Sequence, residues 1–106
     1  MKKGKGFKKE YSSKGQLKFE GEYLNGKRNG KGKEFKRDKL IFEGEYLDGK
    51  RNGKGKDYYY NNVIKFTGDY INGDEWEGKG YNLSNNIIYE LKKGKGFKRN
   101  IVEEVN

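Results

Sequence analysis

Glu20 and Glu22, repeated as Glu43 and Glu45, come nearest in this chain to acid–base chemistry, with Asp69 and Glu90 in looser copies. A glycosidase sets two carboxyls across its substrate, one protonated and one ionised. Here the members of each pair alternate with aromatic residues, so they share one face of a strand, beside lysine-rich neighbours such as Lys31 and Lys33. Cross-strand ion pairing on a solvated face is the expected use. With no Cys and no His, the chain has no thiolate nucleophile, no imidazole base and no zinc site built from those ligands. Ser12, Ser13 and Ser84 have no base to activate them. The Gly-Lys-Gly triplets at Gly30, Gly53 and Gly78 look partly like a phosphate loop, but that loop needs GxxxxGK[ST] between a strand and a helix. The expectation is a protein with no catalytic residues, no cofactor and no metal.

Binding is the remaining chemistry. Lysine and arginine number 25 against 16 acidic residues, a formal charge of +9. Such a balance favours acidic partners: anionic lipid, nucleic acid or an acidic protein face. Lys27-Arg28 and Lys50-Arg51 follow the same turn in successive copies, so regular stacking would line these four cations along one edge, as a ridge for anionic headgroups. The alternative use is protection, because lysine on an exposed sheet edge blocks pairing with another chain. The third copy replaces the pair with Asp74-Glu75-Trp76-Glu77 and ends the stripe. Trp76, the single indole, is either a wedge against the last half-copy or an anchor for a partner. Basic residues interleaved with aromatics also suit a nucleic-acid stacking platform. The aromatics are expected to pack inside the array, which disfavours nucleic acid.

These residues belong to one phrase written twice. FEGEYLNGKRNGKGK (19–33) and FEGEYLDGKRNGKGK (42–56) differ only at Asn25 and Asp48, and FTGDYINGDEWEGKG and YELKKGKG are looser copies. The leading aromatics stand at Phe19, Phe42, Phe66 and Tyr89, steps of 23, 24 and 23 residues, which marks a repeat array. A hydrophobic fraction of 30% is small for a three-dimensional core. Nine Tyr, six Phe and one Trp nonetheless recur at fixed positions, which suits a thin sheet with a stripe of large side chains better than disorder.

Within each copy apolar and polar residues alternate, putting Phe19, Gly21 and Tyr23 on one face of a strand, as also Phe42, Gly44 and Tyr46, then Phe66, Gly68 and Tyr70. Asn25-Gly26, Asp48-Gly49 and Asn72-Gly73 tolerate the positive φ of tight hairpin turns. A second strand is expected to open at Gly30-Lys31-Gly32 and its equivalents. Gly21, Gly44 and Gly68 read as room for the ring of a neighbouring repeat. The expected fold is all-β: a single-layer antiparallel array of hairpins, one per repeat, curling into an open twisted strip. One domain covers 1–106, with units near 19–41, 42–65 and 66–88 between partial units at 1–18 and 89–106. For 101–106 an exposed helical turn and a frayed tail fit equally. KKGKGFK occurs at 2–8 and again at 92–98, as in a cut from, or relic of, a longer array.

The strand pattern, the NGKxxGKG turn and the period near 23 residues resemble the MORN (membrane occupation and recognition nexus) repeat, with full units over 19–80 and partial ones over 4–18 and 89–97. The resemblance implies an elongated hairpin solenoid without catalytic activity, used as a scaffold, a dimerisation module or a membrane-proximal module. Such units are attached to phosphatidylinositol phosphate kinases, junctophilins, a histone lysine methyltransferase and ciliary or apicomplexan skeletal proteins. The expectation is therefore a scaffold for a protein partner, with anionic lipid as the second partner and homodimerisation left open. The rival readings are a polyanion-binding module, recognisable by steep salt dependence, and an accessory domain of a larger enzyme. The lack of Cys, of a signal-peptide segment and of any apolar stretch near the membrane-spanning length points to the cytoplasm, with membrane association if the ridge holds lipid.

Overall fold

The computed structural model describes residues 4–98. Among them every regular element is a strand: β1 (Lys5–Tyr11), β2 (Leu17–Leu24), β3 (Lys27–Lys36), β4 (Lys39–Leu47), β5 (Lys50–Tyr58), β6 (Ile64–Ile71), β7 (Asp74–Tyr81), β8 (Ile87–Lys92) and β9 (Lys95–Lys98). They form one antiparallel sheet in chain order, extending 60 × 32 × 16 Å. The open all-β hairpin array expected from the repeats is the fold observed. The expectation for 101–106 falls outside the described residues.

Asn25/Gly26, Asp48/Gly49 and Asn72/Gly73 take φ pairs of 53°/85°, 56°/92° and 52°/94°. Two consecutive positive values make the turn whose twist matches that of the flanking strands. Arg37/Asp38 and Lys93/Gly94 do the same. Wider loops are closed by a side chain: Ser12 Oγ accepts from the Lys14 and Gln16 amides at 3.2 Å each, and Asn82 Oδ1 from the Ser84 and Asn86 amides at 2.9 and 3.0 Å.

The second strands begin before the glycine triplets, at Lys27, Lys50 and Asp74, which corrects the expected start at Gly30. Gly30 and Gly53 lie in a bulge: a two-residue step on β2, Tyr23 to Gly21, is matched by the step from Arg28 to Gly32 on β3. Glu22 closes the surplus by accepting the Lys31 amide at 2.8 Å, and Glu45 accepts that of Lys54 at 2.9 Å. With φ of 106° and a would-be Cβ colliding with Glu22 Oε1, residue 30 has to be glycine.

Register turns the repeats into rows that cross the sheet. Gly21, Gly32, Gly44, Gly55, Gly68 and Gly78 are successive cross-strand partners from β2 to β7. On the same face Phe19, Tyr23, Phe42, Tyr46, Phe66 and Tyr70 are buried and form the core. Their rings meet edge to face within a unit, as Phe19–Tyr23 at 5.8 Å, and between units, as Phe19–Tyr46 at 5.2 Å and Phe42–Tyr70 at 5.2 Å. The room for the neighbouring ring lies one strand further on than expected. A Cβ at Gly32 would come within 3.0 Å of Tyr46, and one at Gly55 within 2.9 Å of Tyr70. A Cβ at Gly21, Gly44 or Gly68 would instead meet the backbone of the next strand, 2.5 Å from Gly32 Cα and 2.5 Å from the Lys54 carbonyl in the first two cases.

The third unit departs in one respect. Between Tyr70↔Glu75 and Gly68↔Gly78 its bulge holds one surplus residue instead of two, so Gly78 takes the register place of Gly32.

Candidate functional site

Adjacent residues of a strand point to opposite faces, and this splits the expected cationic ridge. Lys27 and Lys50 are exposed at the hairpin tips, with Lys27 Nζ 3.5 Å from Asp48. Arg28 and Arg51 turn onto the aromatic face, where their guanidinium carbons stand 4.1 Å from the Phe19 centroid and 3.9 Å from that of Phe42. Each arginine reaches over the intervening strand to a carboxylate. Arg28 donates through Nε and Nη2 to Glu10 at 3.0 and 2.9 Å, and Arg51 in the same way to Glu34, both at 3.1 Å. Looser contacts, Arg28–Glu34 at 3.9 Å and Arg51–Asp57 at 3.5 Å, complete a ladder of alternating sign from β1 to β5. Lys27, Arg28, Lys50 and Arg51 therefore do not form one anionic-partner edge.

Phenols extend the ladder. The Tyr46 hydroxyl donates to Glu34 and that of Tyr70 to Asp57 at 2.8 Å. Burial, together with the neighbouring carboxylate, raises both phenols well above the ordinary tyrosine range. The hydrogen bond from Arg28 lowers the Glu10 carboxyl. Burial pushes Glu34 upward, but the hydrogen bonds from Arg51 and Tyr46 and the two guanidinium charges outweigh it and leave the carboxyl lowered. In the third unit Glu75 occupies the arginine position and accepts the Tyr89 hydroxyl at 2.7 Å. The Tyr89 ring stacks over Phe66 with centroids 6.1 Å apart. Trp76 covers the last turn: a Cβ on Gly94 would stand 2.8 Å from its ring, and the Gly94 amide donates to its carbonyl at 2.8 Å. With 37% exposure it also keeps a face open to solvent.

The opposite face is organised differently. Lys9, Glu20, Lys33, Glu43 and Lys56 are successive cross-strand partners, and Thr67 follows where glutamate is due, with Lys79 beyond it. The register expected for ion pairing is present, but the direct contact on this face is Lys54–Asp69 at 3.3 Å; among the described residues Lys31, Lys33 and Lys56 close none. Glu22 and Glu45 are exposed yet tied to their bulges, whereas Glu20 and Glu43 are half-buried. Glu43 accepts the Tyr58 hydroxyl at 2.6 Å, and burial with this bond pushes the phenol up to about 12. An open groove of about 750 Å³ crosses these strands. Its floor is the backbone at Gly21, Gly32, Gly44 and Gly55; Lys31 and Lys54 line it with Lys33 and Lys56, and Phe7 and Thr67 stand on the outermost strands. Among the described residues no group of three or more His, Cys, Asp or Glu is placed to hold a metal ion.

A single sheet with a self-paired aromatic face and a grooved, lysine-lined one is an open β-hairpin repeat array. The MORN repeat family matches residues 19–39 and 42–62, so the chain carries MORN repeats in these two segments. These are the two near-identical copies; the copy from Phe66, where the bulge shortens, lies outside the matched segments. The family points to a repeat-based interaction module, generally non-catalytic. Neither a curated protein nor a solved structure matches the chain.

Proposed function

We propose that the chain is a non-catalytic scaffold for a protein partner and that the partner docks on the grooved face. The observation that carries this reading is the inequality of the two faces. On the aromatic face Glu10, Arg28, Glu34, Arg51 and Asp57 are engaged with one another, while across the sheet Lys31, Lys33 and Lys56 are exposed beside an open groove. Charges already paired and half-buried add little to recognition, whereas exposed ones steer and select a complementary partner.

A protein fits this face better than a membrane does. The lysines alternate with Glu20 and Glu43 at the spacing of one strand, so a flat anionic surface meets compensated charge, while a segment lying in the groove meets the lysines singly. The lack of cysteine suits the reducing cytoplasm.

Capture of partners from the source cell tests the assignment, with wild type compared to Lys33→Glu/Lys56→Glu and to Lys27→Gln/Lys50→Gln. The groove-face variant is expected to lose the partner with an unchanged melting temperature. Loss confined to the tip variant returns the function to the hairpin tips, and retention by both overturns the reading.

A further inference from the structure

The groove has a pitch, and the pitch specifies the shape of what lies in it. Lys31 and Lys33 flank Gly32 on β3, and Lys54 and Lys56 flank Gly55 on β5. Because neighbouring strands lie about 4.8 Å apart, the two lysine pairs recur at about 9.6 Å along the groove. Within a pair, two residues along a strand, the separation is about 6.7 Å. An α-helix about 10 Å across does not settle between them. A β-strand laid along the groove presents same-face side chains every 6.7 Å or so, out of step with the lysine pairs. A polyproline II chain rises about 3.1 Å per residue with three residues per turn, so the same face returns every 9.3 Å.

We infer that the groove receives a polyproline II segment of the partner with an acidic side chain at every third position. One carboxylate sits between Lys31 and Lys33, and the next between Lys54 and Lys56. The sequence favours this occupant at both pairs: Lys31, Lys33 and Lys56 close no ion pair among the described residues, and Lys54 holds only the partly exposed Asp69. Beyond the second pair Thr67 stands beside Lys56 where a glutamate is due, while Asp69 and Glu77 follow Lys54 on the other wall, so the two lysine pairs are the extent of the cationic lining. Between the lysine pairs the groove's floor is backbone, because the residues of the glycine row face the aromatic side of the sheet. This inference rests on the grooved face being the partner surface and adds the conformation and charge period of what binds.

Fluorescein-labelled (Pro-Pro-Glu)5 is the probe, with an isomer of the same composition whose five glutamates are contiguous as the control. Anisotropy titration is expected to show the periodic peptide binding about fivefold or more tightly than the isomer, as two seated carboxylates each contribute the small energy of an exposed pair. That preference should vanish in Lys31→Gln/Lys54→Gln and in Lys33→Gln/Lys56→Gln, which remove one wall each and leave the fold intact. Equal binding of the two isomers would reduce the effect to plain polyanion attraction and overturn the inference. Absence of binding by the periodic peptide, while the captured partner still depends on Lys33 and Lys56, would overturn the pitch and spare the grooved face. Binding that survives both variants would place the peptide elsewhere and sink the proposal.

Discussion

The guanidinium of Arg51 lies 3.9 Å from the centroid of the Phe42 ring while its Nε and Nη2 hold Glu34 beyond it. One side chain thus ties β5 to β3 across β4. Arg51→Met keeps the cover over the ring but leaves Asp57 partly buried without its cation and Glu34 with only the 3.9 Å contact to Arg28, and should cost about 2 to 3 kcal/mol in urea denaturation. Arg51→Lys should recover less than half of that, because an ammonium cannot fork. Lys50→Met, one residue away and exposed, should stay within about 0.5 kcal/mol of wild type.

Gly44→Val sets a branched side chain against the Lys54 carbonyl and Gly55 Cα, 2.5 and 2.6 Å from the new Cβ. Backbone on a paired strand cannot move aside as a side-chain tip can, so a loss of about 3 kcal/mol or failure to fold is expected. Gly55→Ala meets the Phe42 and Tyr70 rings at 2.7 and 2.9 Å and should cost about 1 to 3 kcal/mol. Lys33→Val, of similar bulk on the open face, should be near neutral. Melting temperatures of the three variants decide the matter, and a normal Gly44→Val would refute the packing described for the glycine row.

Stability should fall at both extremes of pH, for opposite reasons. The Glu10 and Glu34 carboxyls are lowered on folding, so their contribution is complete above the unfolded value and is lost as pH drops through the folded one. The Tyr46 and Tyr70 phenols are raised, so their contribution is complete below about 10 and is lost at higher pH. Above that point these two phenols alone account for two protons that the unfolded chain releases and the folded one retains, a contribution of about 2.7 kcal/mol per pH unit to the slope. Ultraviolet titration should show phenolate absorbance from these two residues appearing only with unfolding. Their ionisation near pH 10 in a folded protein would contradict the hydrogen bonds to Glu34 and Asp57.

Trp76 braces the last hairpin through Gly94. In Trp76→Ala the amides of β8 and β9 should exchange with deuterium about tenfold faster, while those of β3 and β4 keep their rates. Acceleration spread over the whole sheet would make the indole a general core residue instead.

The backbone was legible because its signals are local. Alternation in 17–24 and the Asn-Gly dipeptides specify strand and turn without reference to anything distant. The arginine ladder was not, since Glu10 and Arg28 are eighteen residues apart and meet only once register is set. Reading Lys27-Arg28 as one basic unit overlooked the pleat that sends the two to opposite faces. The bulge at Glu22 was equally hidden: it depends on counting residues between Tyr23 and Gly32 across two strands. Arg28 and Arg51 standing just past each turn, opposite Tyr23 and Tyr46, were the signal available for the clamp.

The clamps also bear on how the strip carries a pull. Arg28 and Arg51 each span three strands, and with Asp57 and Tyr70 they link β1 through β6 by side chains as well as by the sheet ladder. Glu75 breaks that succession. Under tension along the long axis the first six strands are expected to resist as a laced block, with β7 to β9 detaching at lower load in a pulling experiment. The strip thus has one laced end and one end held by the sheet ladder with fewer side-chain ties, the latter on the Trp76 side.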